Sequence, residues 1–289
     1  MRFHCCLVHP PGHSHGAAFI EMTECVHDGL TALGHHVTVA ENAWEAESIN
    51  VCFGAHHLAR MGFPRDQLPR QVIFYNLEPL RFGALWDRPE VVAWFAQAPV
   101  WDYSLANAAY RKRHAWPGQW YTVPIGYTPS WTRIRRQDPP GRDVLFYGSL
   151  TDRRIVALDT LEQHGLAVQT LFGVYGSERD AWIARSRLVL NLHQVEDAPF
   201  EAVRVAYLLA NRCAAVAEGD PMQDDDARPW AEGMAWTSYD NLLATCQDWL
   251  AETSQRQQLA DQGYQLIQRR PEARYLESVL NQMATDHVL

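Results

Sequence analysis

Short runs of β-branched and aromatic residues alternate with segments of helical period almost from end to end of the chain, pause once across residues 126–142, and then resume. A parallel strand pair needs a crossover long enough to hold a helix, so this alternation is the pattern of parallel sheets covered by helices. In the first half the expected strands are 2–8, 36–40, 49–53, 71–75, 100–104 and 120–125. The clearest helix is expected over 17–33, where Phe19, Met22, Val26, Leu30 and Leu33 recur at three- and four-residue steps and Gly34 supplies the stop. A second helix, 105–116, follows the VWDYS run directly. The stretch GYTPSWTRIRRQDPPGR is rich in Pro, Gly and Arg and has neither period, so it reads as a linker. Beyond it, strands are expected at 144–147, 168–172, 188–192, 213–217 and near 235–238, and helices at 153–164, 178–186 and 200–211, with two or three more in the tail. The expected architecture is α/β, with two Rossmann-like, doubly wound domains, 1–126 and 143–289, joined by a hinge at 127–142. The last helix is free to return to the first domain.

Composition narrows the class of partner. A chain of 289 residues with 47% hydrophobic and 20% charged residues can bury a sizeable core, as one large domain or two of roughly 100–150 residues. Its formal net charge of −9 repels polyanions, and the dense basic runs are only Arg111-Lys112-Arg113 and Arg133 to Arg136, so nucleic acid is not an expected partner. The six cysteines show no C-x-x-C pairing and mostly lie in apolar runs, which reads as reduced core thiols. The opening MRFHCCLV is interrupted by HPPGHSHG too early for a signal peptide, and no apolar run approaches 18 residues. A cytoplasmic protein without a transmembrane segment is therefore expected, of unknown oligomeric state.

In open parallel sheets ligands bind outside the carboxyl ends of the strands, which directs attention to the loops there. In YGSLTDRR, Gly148 and Ser149 end a strand while Arg153 and Arg154 open a helix. The loop is either a phosphate cradle of backbone N–H groups reinforced by arginine, or a tight turn before a capped helix. In FGVYGSERD, Gly173 and Gly176 allow close approach of a flat ring and Tyr175 could cover it, or the loop is an ordinary turn. The third loop, LHQVEDAPFEAVR, has Asp197 and Pro199 as helix-start signals ahead of a helix apolar on almost every face. Glu201 and Arg204 on its first turn form either an i,i+3 ion pair, or a ligand site in which Glu201 accepts from a ribose diol while Arg204 or His193 meets phosphate.

The first half offers candidates for proton transfer. HPPGHSHGAAF carries His13 and His15 in a loop that feeds a helix, and either imidazole could deprotonate an acceptor hydroxyl. The His-x-His spacing lacks a third ligand nearby, so no metal site is expected. YNLEPL sets Asn76 and Glu78 past one strand end, and VWDYSLAN sets Asp102, Ser104 and Asn107 around another, to line an acceptor site or to cap helices. The tryptophans of this half, including Trp86 and Trp101, could stack on sugars but are explained as core. The chain has no G-x-G-x-x-G after the first strand, no G-x-x-x-x-G-K-[ST] and no G-x-S-x-G, so nicotinamide dehydrogenase, P-loop kinase and α/β-hydrolase readings lack support.

The order of pieces in the second half, from DVLFYGSLTDRR through LFGVYGSERD, IARSRLVLNLH and FEAVRVAYLLANRCAAVAE to NLLATCQDWLAETSQRQQLADQGYQLIQRRP, resembles the donor-binding domain of GT-B glycosyltransferases, and within them the bacterial CgeB-like, or glycosyltransferase family 1-like, branch. YNLEPL and VWDYSLAN are similar to the first half of that branch. The resemblance implies two domains facing a cleft and transfer of a sugar from a nucleotide diphosphate, a UDP-sugar as first guess, to an unknown acceptor, without a metal or other cofactor. In the common retaining GT-B enzymes two glutamates eight positions apart flank the donor, and the second opens an FEA-x-A-x-G helix and contacts the ribose. Glu201 matches that second glutamate; eight positions earlier stands His193, and LANR replaces the small-residue ACG. By the same resemblance the Gly148–Ser149 turn faces the diphosphate and loop 172–176 the base, while His15, His13, Glu78 or Asp102 supplies the catalytic base of an inverting reaction. The His193 replacement also fits a catalytically silent nucleotide-sugar-binding or scaffold protein, and the fold also carries sugar-nucleotide epimerases.

Overall fold

The computed structural model describes residues 1–12, 14–81, 87–137, 140–196 and 198–289, and all side chains among them but those of Ser14 and His15. The chain divides into two compact units, Met1–Ser130 with Pro271–Leu289, and Trp131–Arg270.

The first unit is built on six parallel strands, β1 (Arg2–Leu7), β2 (His36–Glu41), β3 (Ile49–Phe53), β4 (Val72–Asn76), β5 (Val100–Asp102) and β6 (Trp120–Thr122), in the order β2-β1-β3-β4-β5-β6. β3 and β4 are buried at every residue, as strands covered on both faces must be. Between the strands run α1 (Ile20–Ala32), α2 (His56–Arg60), α3 (Pro89–Phe95) and α4 (Leu105–Arg113).

Among the boundaries that differ from the sequence reading, three have a clear local reason. The helix expected from residue 17 begins as a 3-10 turn, Ser14–Phe19, which tucks Gly16 against His9 so closely that a Cβ would lie 2.7 Å from the imidazole. β5 stops at Asp102 because its Oδ1 accepts the Ser104 N–H at 2.8 Å and turns the chain, and Ser104 Oγ then caps α4 by accepting the Asn107 N–H at 3.0 Å. α4 ends at Arg113, three residues early, where Ala115 takes a φ of 50° and the Trp116 N–H turns back to the Arg111 carbonyl at 3.1 Å.

The second unit has five parallel strands, β7 (Arg142–Tyr147), β8 (Val168–Leu171), β9 (Ser186–Asn191), β10 (Ala215–Glu218) and β11 (Ala235–Thr237), in the order β11-β10-β9-β7-β8. Its helices are α5 (Asp152–Gln163), α6 (Gly176–Arg185), α7 (Ala202–Ala210), α8 (Leu242–Ala251) and α9 (Thr253–Gln268). α7 buries seven of its nine residues, as its apolar sequence requires. The chain then returns, and α10 (Glu272–Thr285) packs on α1 in the first unit, where Gly29 leaves room for Leu276. Trp101 Nε1 reaches Met283 Sδ at 3.2 Å, and Tyr121 donates to Asp286 at 3.0 Å.

The segment read as a linker lacks regular structure apart from the 3-10 turn Pro129–Trp131, yet its described residues are pinned. Thr128 and Ser130 donate to Asp28 Oδ2 at 2.8 and 2.5 Å, and Trp131 is fully buried against Tyr207. All six cysteines are buried and unpaired, and among the described residues no helix is long and apolar enough to cross a membrane. Trp101 and Trp131 are core as expected; Trp86 lies outside the described residues.

Candidate functional site

From β7 the second unit's chain moves to one side to form β8 and then crosses to the other to form β9. The loops leaving β7 and β9 therefore start in opposite directions, and this switch point is the place where such sheets hold ligands. Arg154, on the first turn of α5, ties the two loops together. Its Nη1 donates to the Ser149 carbonyl at 2.9 Å, its Nε to the Leu192 carbonyl at 3.1 Å, and its Nη2 to Leu192 and, at 3.0 Å, to Glu201 Oε1. With its side chain 4% exposed, this guanidinium positions loops and carboxylate. Burial first, and the Arg204 charge second, push its pKa down to about 10.

Glu201 sits immediately before α7, the position at which Pro199 and the FEA sequence start that helix. Its Oε2 accepts from Asn191 Nδ2 at 3.2 Å and lies 3.5 Å from His193 Nδ1. The i,i+3 ion pair with Arg204 is corrected here: the arginine that bridges Glu201 is Arg154, while Arg204 Nη1 donates to Asn191 Oδ1 at 3.1 Å and its guanidinium lies over the Tyr147 ring at 5.3 Å. Arg204 reaches over Gly148, where φ is 140° and a Cβ would stand 2.9 Å from Nη2. Only glycine suits both the backbone and the approach.

His193 is buried, with its N–H on Glu218 Oε2 at 3.1 Å and its Nδ1 without a hydrogen-bond partner. The 3.5 Å contact to Glu201 is electrostatic, being long for a hydrogen bond. Burial lowers the imidazole pKa, but Glu201, Glu218 and Asp224 outweigh it and hold the group above the ordinary histidine value. Burial likewise raises Glu201, and the contact with His193 and the charges of Arg204, His193 and Arg154 outweigh it, so the carboxyl stays below its usual range. Glu218, at the end of β10, is the functional neighbour that the sequence reading missed. It accepts from both terminal nitrogens, Nη1 and Nη2, of Arg153, and Arg153 stacks on Tyr239 at 3.9 Å. A lone carboxylate closing the buried AVAE strand was the available signal.

The remaining predicted residues of this unit lie in the adjoining loops. Ser149 is exposed beside Gly148. Gly173 and Gly176 take φ of 70° and 57°, with open space where a Cβ would stand, and Tyr175 precedes α6 between half-buried neighbours. Asp197 lies outside the described residues.

In the first unit the corresponding crossover is between β1 and β3, so the loop after β1, which carries His13 and His15, leaves at that switch point. His13 lies outside the described residues, and so does the His15 side chain. Asp102 is 3% exposed and accepts from Asn76 Nδ2 at 2.6 Å, from Ser104 N at 2.8 Å and from Asn107 Nδ2 at 3.1 Å. Both amides donate onward to the Glu78 carbonyl at 3.0 Å, so Asp102 shapes the loop that carries Glu78. Burial alone pushes the Glu78 carboxyl up to about 7, which suits it to exchange a proton near neutrality. Among the described residues no cluster of histidine, cysteine and carboxylate could hold a metal ion.

No protein-family model matches the chain. The uncharacterized protein L137 of Acanthamoeba polyphaga mimivirus is 28% identical over 134 residues, a match that spans 45% of this chain and 18% of the relative. Solved structures match over the whole length. Anabaena Alr3699/HepE, solved in complex with UDP and glucose, has a TM-score of 0.66 at 10% identity, covering 99% of this chain and 100% of the other. AviGT4, a glycosyltransferase of avilamycin A biosynthesis, has a TM-score of 0.58 at 15% identity and covers 98% of each chain. T4 phage BGT in complex with its UDP-glucose substrate has a TM-score of 0.59 at 11% identity, covering 96% and 97%. The fold of the chain, two parallel sheets each flanked by helices, is that of the GT-B glycosyltransferases.

Proposed function

We propose that the chain is a glycosyltransferase that moves a sugar from a nucleoside diphosphate, UDP as first guess, to an acceptor nucleophile without a resident metal. The observation that carries this reading is the Glu201 carboxylate, kept ionised by His193, Arg204 and Arg154 and fixed in place by hydrogen bonds from Arg154 and Asn191, at the β7/β9 switch point of a GT-B fold. An ionised carboxylate with fixed oxygens accepts two hydrogen bonds from a vicinal diol, the chemistry of a ribose. Arg204 and the imidazole of His193 supply positive charge for the departing diphosphate, together with backbone N–H groups at the start of α5. Arg153, neutralised by Glu218, sets the ledge on which His193 rests. Loop 172–176 takes the base, and Glu78 or His15 of the first unit removes the acceptor proton. Isothermal titration with UDP, GDP and dTDP tests the reading: micromolar binding of at least one is expected, and no binding of any overturns it.

His193 in place of the first glutamate of retaining enzymes favours a second reading, a nucleotide-sugar-binding protein without turnover. Donor hydrolysis or transfer by the wild type that collapses in Glu201→Ala would exclude it.

A further inference from the structure

The opposite end of the second unit's sheet holds a cavity of about 670 Å³ into which Arg136, Arg187, Arg212 and Arg256 converge, together with Thr253 and Asp261. Arg187 is the second residue of β9 and His193 lies just past its other end. Six residue steps separate them, about 20 Å if extended, so the cavity is distinct from the Glu201 site.

The arginines are held mainly by groups that carry no charge. Arg256, 8% exposed, donates to the Trp249 and Leu250 carbonyls at 2.8 and 3.0 Å and to Thr253 Oγ1 at 3.0 Å. Arg136 donates to the Ile183 carbonyl at 2.7 Å and to that of Ser186. Among the described residues carboxylates meet only the two outer arginines, Asp143 on Arg187 at 3.1 Å and Asp261 on Arg212 at 3.3 Å. Among the described residues four guanidinium groups line this cavity and only two of them meet a carboxylate, in a chain whose net charge is −9. Burial lowers the Arg256 pKa, and Arg187 and Arg136 push it the same way, a repulsion that an anion would relieve. Thr253 begins α9, whose positive dipole end adds to the field. The volume lies within the usual range for small-molecule sites, larger than a bare ion needs.

We propose that this cavity is a second anion site, for a small diphosphate or phosphate ester, recognised by paired guanidinium groups at the amino end of the sheet. Inorganic pyrophosphate is the probe. Phenylglyoxal labelling of the wild-type chain, read by peptide mass mapping, should show Arg187 and Arg212 protected when pyrophosphate is present. The Arg187→Gln/Arg212→Gln variant, changed at exposed side chains, should bind pyrophosphate about tenfold more weakly or worse while keeping its circular dichroism spectrum. Arg204→Gln, at the other end of the sheet, should leave the protection intact. Unchanged labelling at Arg187 and Arg212, undiminished affinity in the double variant, or loss of protection in Arg204→Gln would each overturn the proposal.

Discussion

Glutamates in the two units are pushed in opposite directions by their surroundings. Glu201 of the second unit is ringed by Arg154, Arg204 and His193, which outweigh its burial and keep it ionised. In the first unit Glu78 is raised to about 7 and Glu272 to about 8, chiefly by burial. Glu272 is fully buried at the start of α10, with Oε2 on the Gly126 N–H at 2.6 Å and Oε1 without a partner. One N–H does not repay the desolvation of a carboxylate, whereas three cationic groups do. The second unit thus holds Glu201 charged, while the first holds two glutamates whose charged form is disfavoured.

The sharpest break of that comparison is at the proposed base. One of Glu78→Gln and His15→Ala should lose about 10²–10⁴-fold in kcat while the other stays within a few-fold, and full activity in both would remove the proton-transfer role from these loops. If Glu78 is the base, the wild type should lose activity as pH falls through about 7, a limb absent from Glu78→Gln. Glu201→Ala comes next. Loss of two charge-assisted hydrogen bonds should weaken nucleotide binding by about 100-fold, read by calorimetry. The variant should also lose about 2 kcal/mol of stability in urea titrations, because the buried Arg154 charge is left without its carboxylate while Glu201 itself is partly exposed.

Glu272→Gln should act with the opposite sign. The folded pKa lies above the unfolded one, so Glu272 stabilises fully below the ordinary carboxylate range and less as pH rises through about 8. The variant should therefore gain on wild type between pH 5 and 9, by a few kcal/mol at most given ~1.4 kcal/mol per pKa unit. Parallel stability curves for the two proteins would refute the buried-acid account. The smallest effect is expected for Gly148→Ala, which strains a φ of 140° and displaces the end of Arg204, costing about 1–2 kcal/mol and weakening nucleotide binding a few-fold.

What the sequence revealed follows the range of the interactions. β3 was legible to the residue, since INVCF is a buried run between turn signals. So was the burial of α7, whose apolar character lies in adjacent residues. Glu201 stands out because a carboxylate opens that helix, but the ion-pair alternative names Arg204, three residues away, whereas Arg154 reaches it across 47 positions of chain. Arg204 was drawn instead to Asn191 and the aromatic pair Phe146 and Tyr147, contacts that only the packed sheet creates. Asp102 reads equally as a ligand group and as a cap, and the amides of Asn76 and Asn107 are what meet its two oxygens in the fold. Glu272 carries no sequence signal, because PEARYLE looks like any helix start and burial at Gly126 is a tertiary fact.

The return of α10 to the first unit bears on the order in which the protein is made. The second unit, Trp131–Arg270, is continuous and leaves the ribosome complete, while the first still lacks Pro271–Leu289. Until that last helix emerges, Leu276, Met283 and Glu272 cannot cover α1, Trp101 and Gly126. The half that begins the chain is therefore the half that finishes folding, against the usual amino-to-carboxyl order of domains, and its exposed α1 face is the surface that a chaperone would meet during synthesis.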